Sequence, residues 1–458
     1  MNHLKGKKLL VLGGTNNFED ITHFAKREGV KIVVAGSKFS TDVERMADEK
    51  CYTDVYQKEQ IRKVAEDYAV DGIFCAGNET IISNVIDVAE EMGFPFYSNR
   101  SLWDTLMNKK TFKDACRQYG IPTPMDFCTE VNFEEAIGSL PYPVVVKPVD
   151  NSGANGVFRV DSAEEFAEKY NIAKSYSKNG DVTVEEYLDG DQVSIYYTFV
   201  DGHASMSCMH DKYIYGSGED FNPMAEAFAY PSRHIYQYLS QIDKKMRKML
   251  SNAGVKNGVV CLQCKYSKGQ FKFFEMGYRL GGTSHYRYTD YLNGANSLEM
   301  LMEHSLSGKV EGYDQKRENP FFDRPCCTYT FLSRGGIVDR IEGIDVAKQI
   351  KGVLHIENRY KVGDRVSSKG TVGQIHIRTF LIADSVPEMK ELISRLQSVI
   401  DVYDTSGQSM LIKDFDVNRL DFGNAKFARG GYRRVVFLPS LTGFESKSKR
   451  RMLRRAAA

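Results

Sequence analysis

Lys147 stands at the end of a short apolar, β-branched run, Val144-Val145-Val146, and a loop holding Ser152, Gly153, Asn155 and Gly156 follows it. A strand-end lysine supplies a point charge, and a glycine-bearing loop lets backbone N–H groups converge on oxygens. That combination suits a phosphate chain, with a nucleoside triphosphate as the natural cargo. Other residues lie at fitting distances along the chain. Lys109 is 38 residues upstream, on a helical stretch. Glu185-Glu186-Tyr187-Leu188 begins 38 residues downstream, where a strand edge can offer backbone groups to an adenine edge. Gln263 and Glu275 stand 12 apart on the two arms of a hairpin. Side-chain oxygens so placed meet across the strands and suit Mg²⁺ held between phosphates. Arg279, four residues after Glu275, suits a transferring phosphoryl group or a carboxylate.

The elements that must position these residues fall into successive patterns. KKLLVLGG (7–14), KIVVAGS (31–37) and GIFCAGN (72–78) read as buried strands. Helical stretches at 20–29, 60–69 and 83–93 alternate with them, which implies a parallel sheet covered by helices, a Rossmann-like half. Gly13-Gly14-Thr15 and Gly77-Asn78-Glu79 follow strands and would face one crevice, although GGTNN lacks the full GxGxxG spacing. The middle of the chain reads as α+β with antiparallel pairing. It has a helix over 108–119, strands at 182–188 and 192–200 joined by the turn DGD, and a polar loop over 210–223. A long helix over 237–254 and a hairpin about Lys268-Gly269 complete it. Beyond residue 325, four strand-like runs and a helix over 386–402 form a small α/β module. That helix opens on the capping box Ser385-Val-Pro-Glu388. The expected divisions are 1–105, 106–325, 326–440 and a basic tail, 441–458.

Apolar residues make up 42% of the 458, enough for a substantial core. Lys+Arg is 61 and Asp+Glu 60, so there is no overall basic field for nucleic acid. No apolar run approaches a membrane span of about 20 residues. The 9 cysteines are scattered, as in a reduced, cytoplasmic protein, and Cys261 and Cys264 would face opposite sides of a strand.

The order Rossmann-like domain, Lys109…GIPTP, YPVVVKP with its glycine loop, VEEYLDG and FFEMGYRLGG resembles the ATP-grasp superfamily in its carboxylate–amine ligase branch. The resemblance runs from residue 1 to about 305, with a looser likeness over the C-terminal module. It implies ATP and Mg²⁺ or Mn²⁺ as cofactors, small-molecule carboxylate and amine substrates, and homodimers, which are common in the branch. It implies that Lys109 and Lys147 hold ATP phosphates beneath the loop of Ser152, Gly153, Asn155 and Gly156. Glu185 to Leu188 match the adenine hinge, and Gln192 stands near the ribose. Glu275 matches the main Mg²⁺ ligand and Gln263 the second. Arg279 matches the arginine on the acyl phosphate. Gly281, Gly282 and His285 match acyl-substrate contacts.

Two residues depart from the family pattern. Gln263 stands where Glu or Asp is usual, and Gly277 where Asn is usual, so the motif reads EMGYR. The metal site loses one charge and one ligand unless substrate phosphates, or an acid such as Glu219, Asp220 or Glu226, make up the shell. The implied reaction phosphorylates a carboxylate to an acyl phosphate, which an amine then attacks. The competing readings are a bicarbonate-activating carboxylase or carbamoyl-phosphate-type enzyme, and a non-catalytic ATP-binding relative. His210-Asp211-Lys212 and Arg378 are further candidates near the site.

Overall fold

The computed structural model describes residues 2–13, 17–39, 41–127, 137–149, 156–177, 179–216, 224–367, 372–423 and 427, all within one compact unit spanning 1–427. The loop residues Ser152, Gly153 and Asn155, with Glu219, Asp220 and the basic tail, lie outside the described residues.

The first hundred residues alternate as the apolar pattern predicts. Strands β1 (Lys8–Leu12), β2 (Lys31–Gly36), β3 (Glu49–Tyr52) and β4 (Gly72–Phe74) form a sheet in the order β3-β2-β1-β4, parallel throughout. Helix α1 (Phe18–Glu28) ends at Gly29, whose φ of 72° is the left-handed turn that glycine adopts without a Cβ penalty. Helices α2 (Thr41–Met46), α3 (Lys58–Asp67) and α4 (Glu79–Met92) follow. α2 and β3 carry no apolar period in the sequence. β3 is a half-exposed edge strand, which explains why its residues read as a loop.

After α5 (Arg100–Met107) and α6 (Lys109–Gln118) the chain builds two antiparallel layers. The smaller holds β5 (Asp126–Phe127), β6 (Val144–Pro148), β7 (Phe158–Val160) and β8 (Val182–Glu186), ordered β5-β8-β6-β7. Its own apolar core is small, centred on Val144, Val146, Val160, Phe166, Ala173 and Val184. The larger sheet has nine strands. It contains β9 (Asp191–Val200), β10 (His203–Ile214), β11 (Ala225–Tyr230), β12 (Gly258–Ser267) and β13 (Gln270–Tyr278). It continues through β14 (Cys326–Ser333), β16 (Val353–Asn358) and β18 (Ile375–Ile382), in the order β13-β12-β9-β10-β11-β14-β18-β16, with β20 (Leu411–Ile412) beside β14. β15 (Gly336–Glu342), β17 (Arg365–Val366) and β19 (Asp401–Asp404) make a third antiparallel group.

Three sequence expectations change here. The turn DGD does not fold β8 onto β9 but carries the chain from the small sheet to the large one, through Gly190 at φ 135°. A Cβ on Gly190 would lie 2.4 Å from the Tyr266 carbonyl oxygen, so this crossing needs glycine. The start of the polar loop, HDKYI, is the end of β10. It is paired on both sides by β9 and β11, so His210 and Asp211 are buried. The long helix over 237–254 is two helices, Ile235–Gln241 and Asp243–Asn252, broken at Ile242 where φ is −123°. The hairpin turn at Lys268-Gly269 forms as expected, with φ 49° and 81°. The C-terminal helix is Val386–Val399. Ser385 Oγ accepts from the Glu388 N–H at 3.3 Å, and residues 401–402 pass into β19.

Candidate active site

Lys147 is the next-to-last residue of β6 and is 5% exposed. Its ammonium donates to Glu185 Oε2 at 2.7 Å. The other oxygen of Glu185 accepts from Lys113 at 2.5 Å, and Lys113 also pairs with Asp126. Lys113 is 1% exposed and Glu185 is 2% exposed, so these are buried charges that need each other. Burial pushes the Glu185 carboxyl up, but Lys147 and Lys113 outweigh it and hold it below the usual range. Burial lowers the Lys147 ammonium, and the nearby Lys113 and Lys109 lower it further against the pull of Glu185. Lys109 is buried at the start of α6, where Asn108 caps the helix by accepting from the N–H groups of Lys110 and Thr111. An ammonium has three donors, so Lys147 keeps two beyond its bond to Glu185.

Lys113 was missed in the sequence, although a signal was there. Lys109, Phe112, Lys113 and Cys116 fall at i, i+3, i+4 and i+7, so both lysines share the buried face of α6. A lysine inside an apolar stripe needs a buried partner.

Glu185 thus uses its carboxylate inward, on lysines. The Glu186 N–H is engaged with the Met125 carbonyl at 3.0 Å, and its side chain pairs with Lys272. β8 ends there, so the backbone of Tyr187 and Leu188 leaves the ladder. Arg159 and Lys265 lie over the Tyr187 ring at 4.6 and 5.2 Å, and Lys265 donates to the Leu188 carbonyl at 2.6 Å. Gly156, at φ 77°, lies against the Tyr176 side chain.

The large sheet brings the remaining polar residues into rows. Gln263 on β12 lies directly opposite Glu275 on β13, and opposite Ser194 on β9. Ser194 in turn faces His210 on β10. Two residues along, Lys212, Gln192 and Lys265 line up across β10, β9 and β12. Directly opposed residues share one face of a sheet, so a single face carries Glu275, Gln263, Gln192 and Lys212. Burial pushes the Lys212 ammonium down to about 8, partly offset by Glu275. Asp211 turns to the opposite face. There it accepts from Ser232 Oγ at 2.5 Å and from the Arg233 N–H at 2.9 Å. Glu226 lies apart from Glu275, with Arg419 at 3.6 Å and Asp414 nearby.

Among the described residues no group of three or more His, Cys, Asp or Glu could hold a metal ion. Glu275 and Gln263 supply one charged and one neutral oxygen. That donor pair fits a cation that arrives on a phosphate chain, which brings most of its own ligands, and does not fit a resident ion.

Arg279 follows β13. Its Nε donates to Glu79 at 2.8 Å, and Glu79 is the first residue of α4, so the pair joins residues 200 apart in the chain. Glu79 and nearby groups hold the guanidinium above its ordinary range despite burial, so it is always charged. A Cβ on Gly277 would lie 3.5 Å from the Arg279 guanidinium carbon, an ordinary contact, so an asparagine would fit there and touch Arg279. Gly281 is pressed against Tyr196, whose ring would be 2.3 Å from an added Cβ, whereas Gly282 has open space and an exposed surface. His285 is fully buried, its ring 4.0 Å from that of Tyr196, and burial pushes it to about 3, so it is neutral. Arg378 on β18 donates to the Gly282 carbonyl at 2.6 Å and so reaches this segment from the far end of the sheet. Gly13, Gly77 and Asn78 line one small cavity of about 170 Å³ with Asn17 and Lys38, as the shared crevice required. Asn17 donates to Tyr286 Oη at 2.8 Å, tying that crevice to the 281–288 segment.

Residues 140–286 match the family model described as ATP-grasp domain. The carbamoyl phosphate synthase large chain of Pyrobaculum aerophilum is 28% identical over 206 residues, 40% of this chain and 20% of that one. A D-alanine–D-alanine ligase of Halorhodospira halophila is 26% identical over 199 residues, 42% of this chain and 58% of its own. The matched part is thus less than two thirds of either relative. Among solved structures, the L-amino acid ligase of Bacillus licheniformis superposes with a TM-score of 0.71 at 18% identity, covering 88% of this chain and 99% of that one. The shared fold therefore extends well beyond the ATP-grasp segment on both sides.

Proposed function

We propose that this protein is an ATP-dependent ligase that activates a carboxylate as an acyl phosphate and joins it to an amine, releasing ADP and phosphate. The observation that carries the reading is Arg279. It stands at the end of the strand that bears Glu275, always charged and paired across the chain with Glu79. The domain match supports ATP as the nucleotide. The relatives that join amino acids support the reaction class.

In this reading residues 1–105 form a Rossmann-like domain, 106–325 the ATP-grasp domain and 326–440 a small C-terminal domain. Lys147 and Lys109 neutralise the phosphate chain, with Lys113 and Glu185 fixing where Lys147 points. Tyr187, Leu188 and Gln192 receive the base and ribose. Glu275 and Gln263 hold Mg²⁺, which draws charge from the phosphates when bound. Arg279 exchanges Glu79 for the carboxylate of the acid and then steadies the acyl phosphate. Glu79, set free, is placed to accept a proton or hold an ammonium. Such catalysis is mainly positioning and charge neutralisation.

The test is phosphate release from ATP and Mg²⁺ with pooled carboxylic acids, amines and bicarbonate. Acid-dependent release that falls about 100-fold in Arg279→Lys supports the reading. Release that depends on bicarbonate alone replaces it with carboxyl activation of that anion. ATP binding without release in any pool, unchanged in the double variant Gln263→Glu, Gly277→Asn, refutes catalysis.

A further inference from the structure

β16 and β18 run antiparallel with Glu357 opposite Arg378 and His355 opposite Phe380. Residues two apart share a face, so His376, Arg378 and Phe380 line up beside His355 and Glu357, with Arg359 just beyond the end of β16. The other face, with Ile377 and Leu381, belongs to the C-terminal apolar core. The polar face meets the 282–288 segment instead. Arg378 bonds the Gly282 carbonyl, Ser284 Oγ lies 3.5 Å from Glu357, and the Arg287 guanidinium lies 5.2 Å from the Phe380 ring.

The charges on this face do not balance. Arg287 is taken by Asp20 at 2.8 Å. Arg378 and Arg359 each donate to one backbone carbonyl, those of Gly282 and Val372, and neither has a carboxylate within ion-pair distance among the described residues. Their Nε groups are buried without partners there. Glu357, a carboxylate beside them, is 3.9 Å from Arg287. Burial and the neighbouring Arg378 pull the Arg359 guanidinium down to about 10, against a partial offset from Glu357. Two guanidiniums close enough to repel, with idle donors and little water, are stabilised by an anion.

We propose that Arg359 and Arg378 form an anion subsite, and that the acid substrate carries a second anionic group, carboxylate or phosphate, which binds there while its reacting carboxylate meets Arg279. The substrate class is then a dianionic acid. This rests on the ligase reading, but its test needs no turnover.

Calorimetric titration of the full chain at fixed ionic strength would use inorganic phosphate, succinate and, as the singly charged control, propionate. Saturable binding of phosphate or succinate at least tenfold tighter than propionate is expected, and the preferred probe tells phosphate from carboxylate. Arg359→Gln should weaken it at least tenfold and Arg359→Lys less. Arg378→Gln should do the same where it folds; Arg359 is half-buried and its variant carries the test alone. Equal weak binding of all three probes overturns the subsite. So does binding unchanged in Arg359→Gln, or displaced by ADP, which would place it among the lysines. Acid-dependent phosphate release without this binding would sink the subsite and leave the ligase reading standing. Binding without release would do the reverse.

Discussion

Two clusters, a lysine end and an arginine end, handle buried positive charge in opposite ways. At the lysine end, Lys147 and Lys113 share the two oxygens of Glu185, and Lys113 also has Asp126. At the arginine end, Arg359 and Arg378 rest on carbonyl oxygens, with donors left over. At the lysine end the chain supplies carboxylate partners of its own. A phosphate chain can take the two donors that Lys147 keeps beyond Glu185, but it meets charge already held by carboxylates. At the arginine end no carboxylate pairs with Arg359 or Arg378 among the described residues, and a bound anion would complete it. The first arrangement favours stability of the fold, the second specificity for a ligand.

That contrast predicts opposite responses to losing one cation. Lys113→Gln strands the buried Glu185 with a single partner and should destabilise the protein by roughly 3–5 kcal/mol in chemical denaturation. A loss below about 1 kcal/mol would mean that the lysine end is wetter than its burial indicates. Acid should separate the ends next. Burial pushes His355 down to about 3, with Arg287 adding to it, and His376 down to about 4, while His210 and His285 on the sheet floor fall to about 3. A histidine whose folded value is depressed contributes stability that is present above its unfolded value, about 6.5, and is lost as pH falls toward the folded value. Denaturant stability should therefore fall by about 1.4 kcal/mol per pH unit for each such histidine below pH 6. Added phosphate should offset part of that loss if the arginine end binds it, and none if it does not. The smallest effect is expected for Arg359→Gln, which removes a repelling charge. Its unliganded stability should stay within about 1 kcal/mol of wild type, on the stabilising side. A large loss would mean that Arg359 is already paired.

At the lysine end, Lys147 at a strand end and Lys109 on a helix were legible because those signals are local. Lys113, one turn along the same buried helix face, was missed, and so was the use of Glu185 as the partner of both Lys147 and Lys113. That Gln263 and Glu275 sit on the two arms of one hairpin was also readable, but the two-residue turn alone would set Gln263 against Phe274, and it is a bulge between Gln263 and Cys264 that brings Glu275 opposite it. The pair Arg279–Glu79 was not, because nothing local links residues 200 apart. HDKYI failed for a related reason. Its polarity suggested solvent, but its strand is central, and its polar side chains are buried by neighbours that join from far along the chain. Arg378 was singled out on its pattern, yet its idle Nε emerges only once β16 and the Gly282 segment surround it.

The large sheet does not stop where the sequence changes character at residue 325. β11 pairs with β14, Ala227 against Tyr329, and β14 pairs with β18. As the chain leaves the ribosome, the edge of β11 must therefore wait for roughly a hundred more residues before its partner exists. During that interval a strand of alternating alanines, Ala225, Ala227 and Ala229, presents unpaired N–H and C=O groups to any other nascent chain. Synthesis of this protein thus carries a timed exposure, ended only when the C-terminal strands arrive, and its yield in cells should respond to translation rate and chaperone supply more than its final stability would suggest.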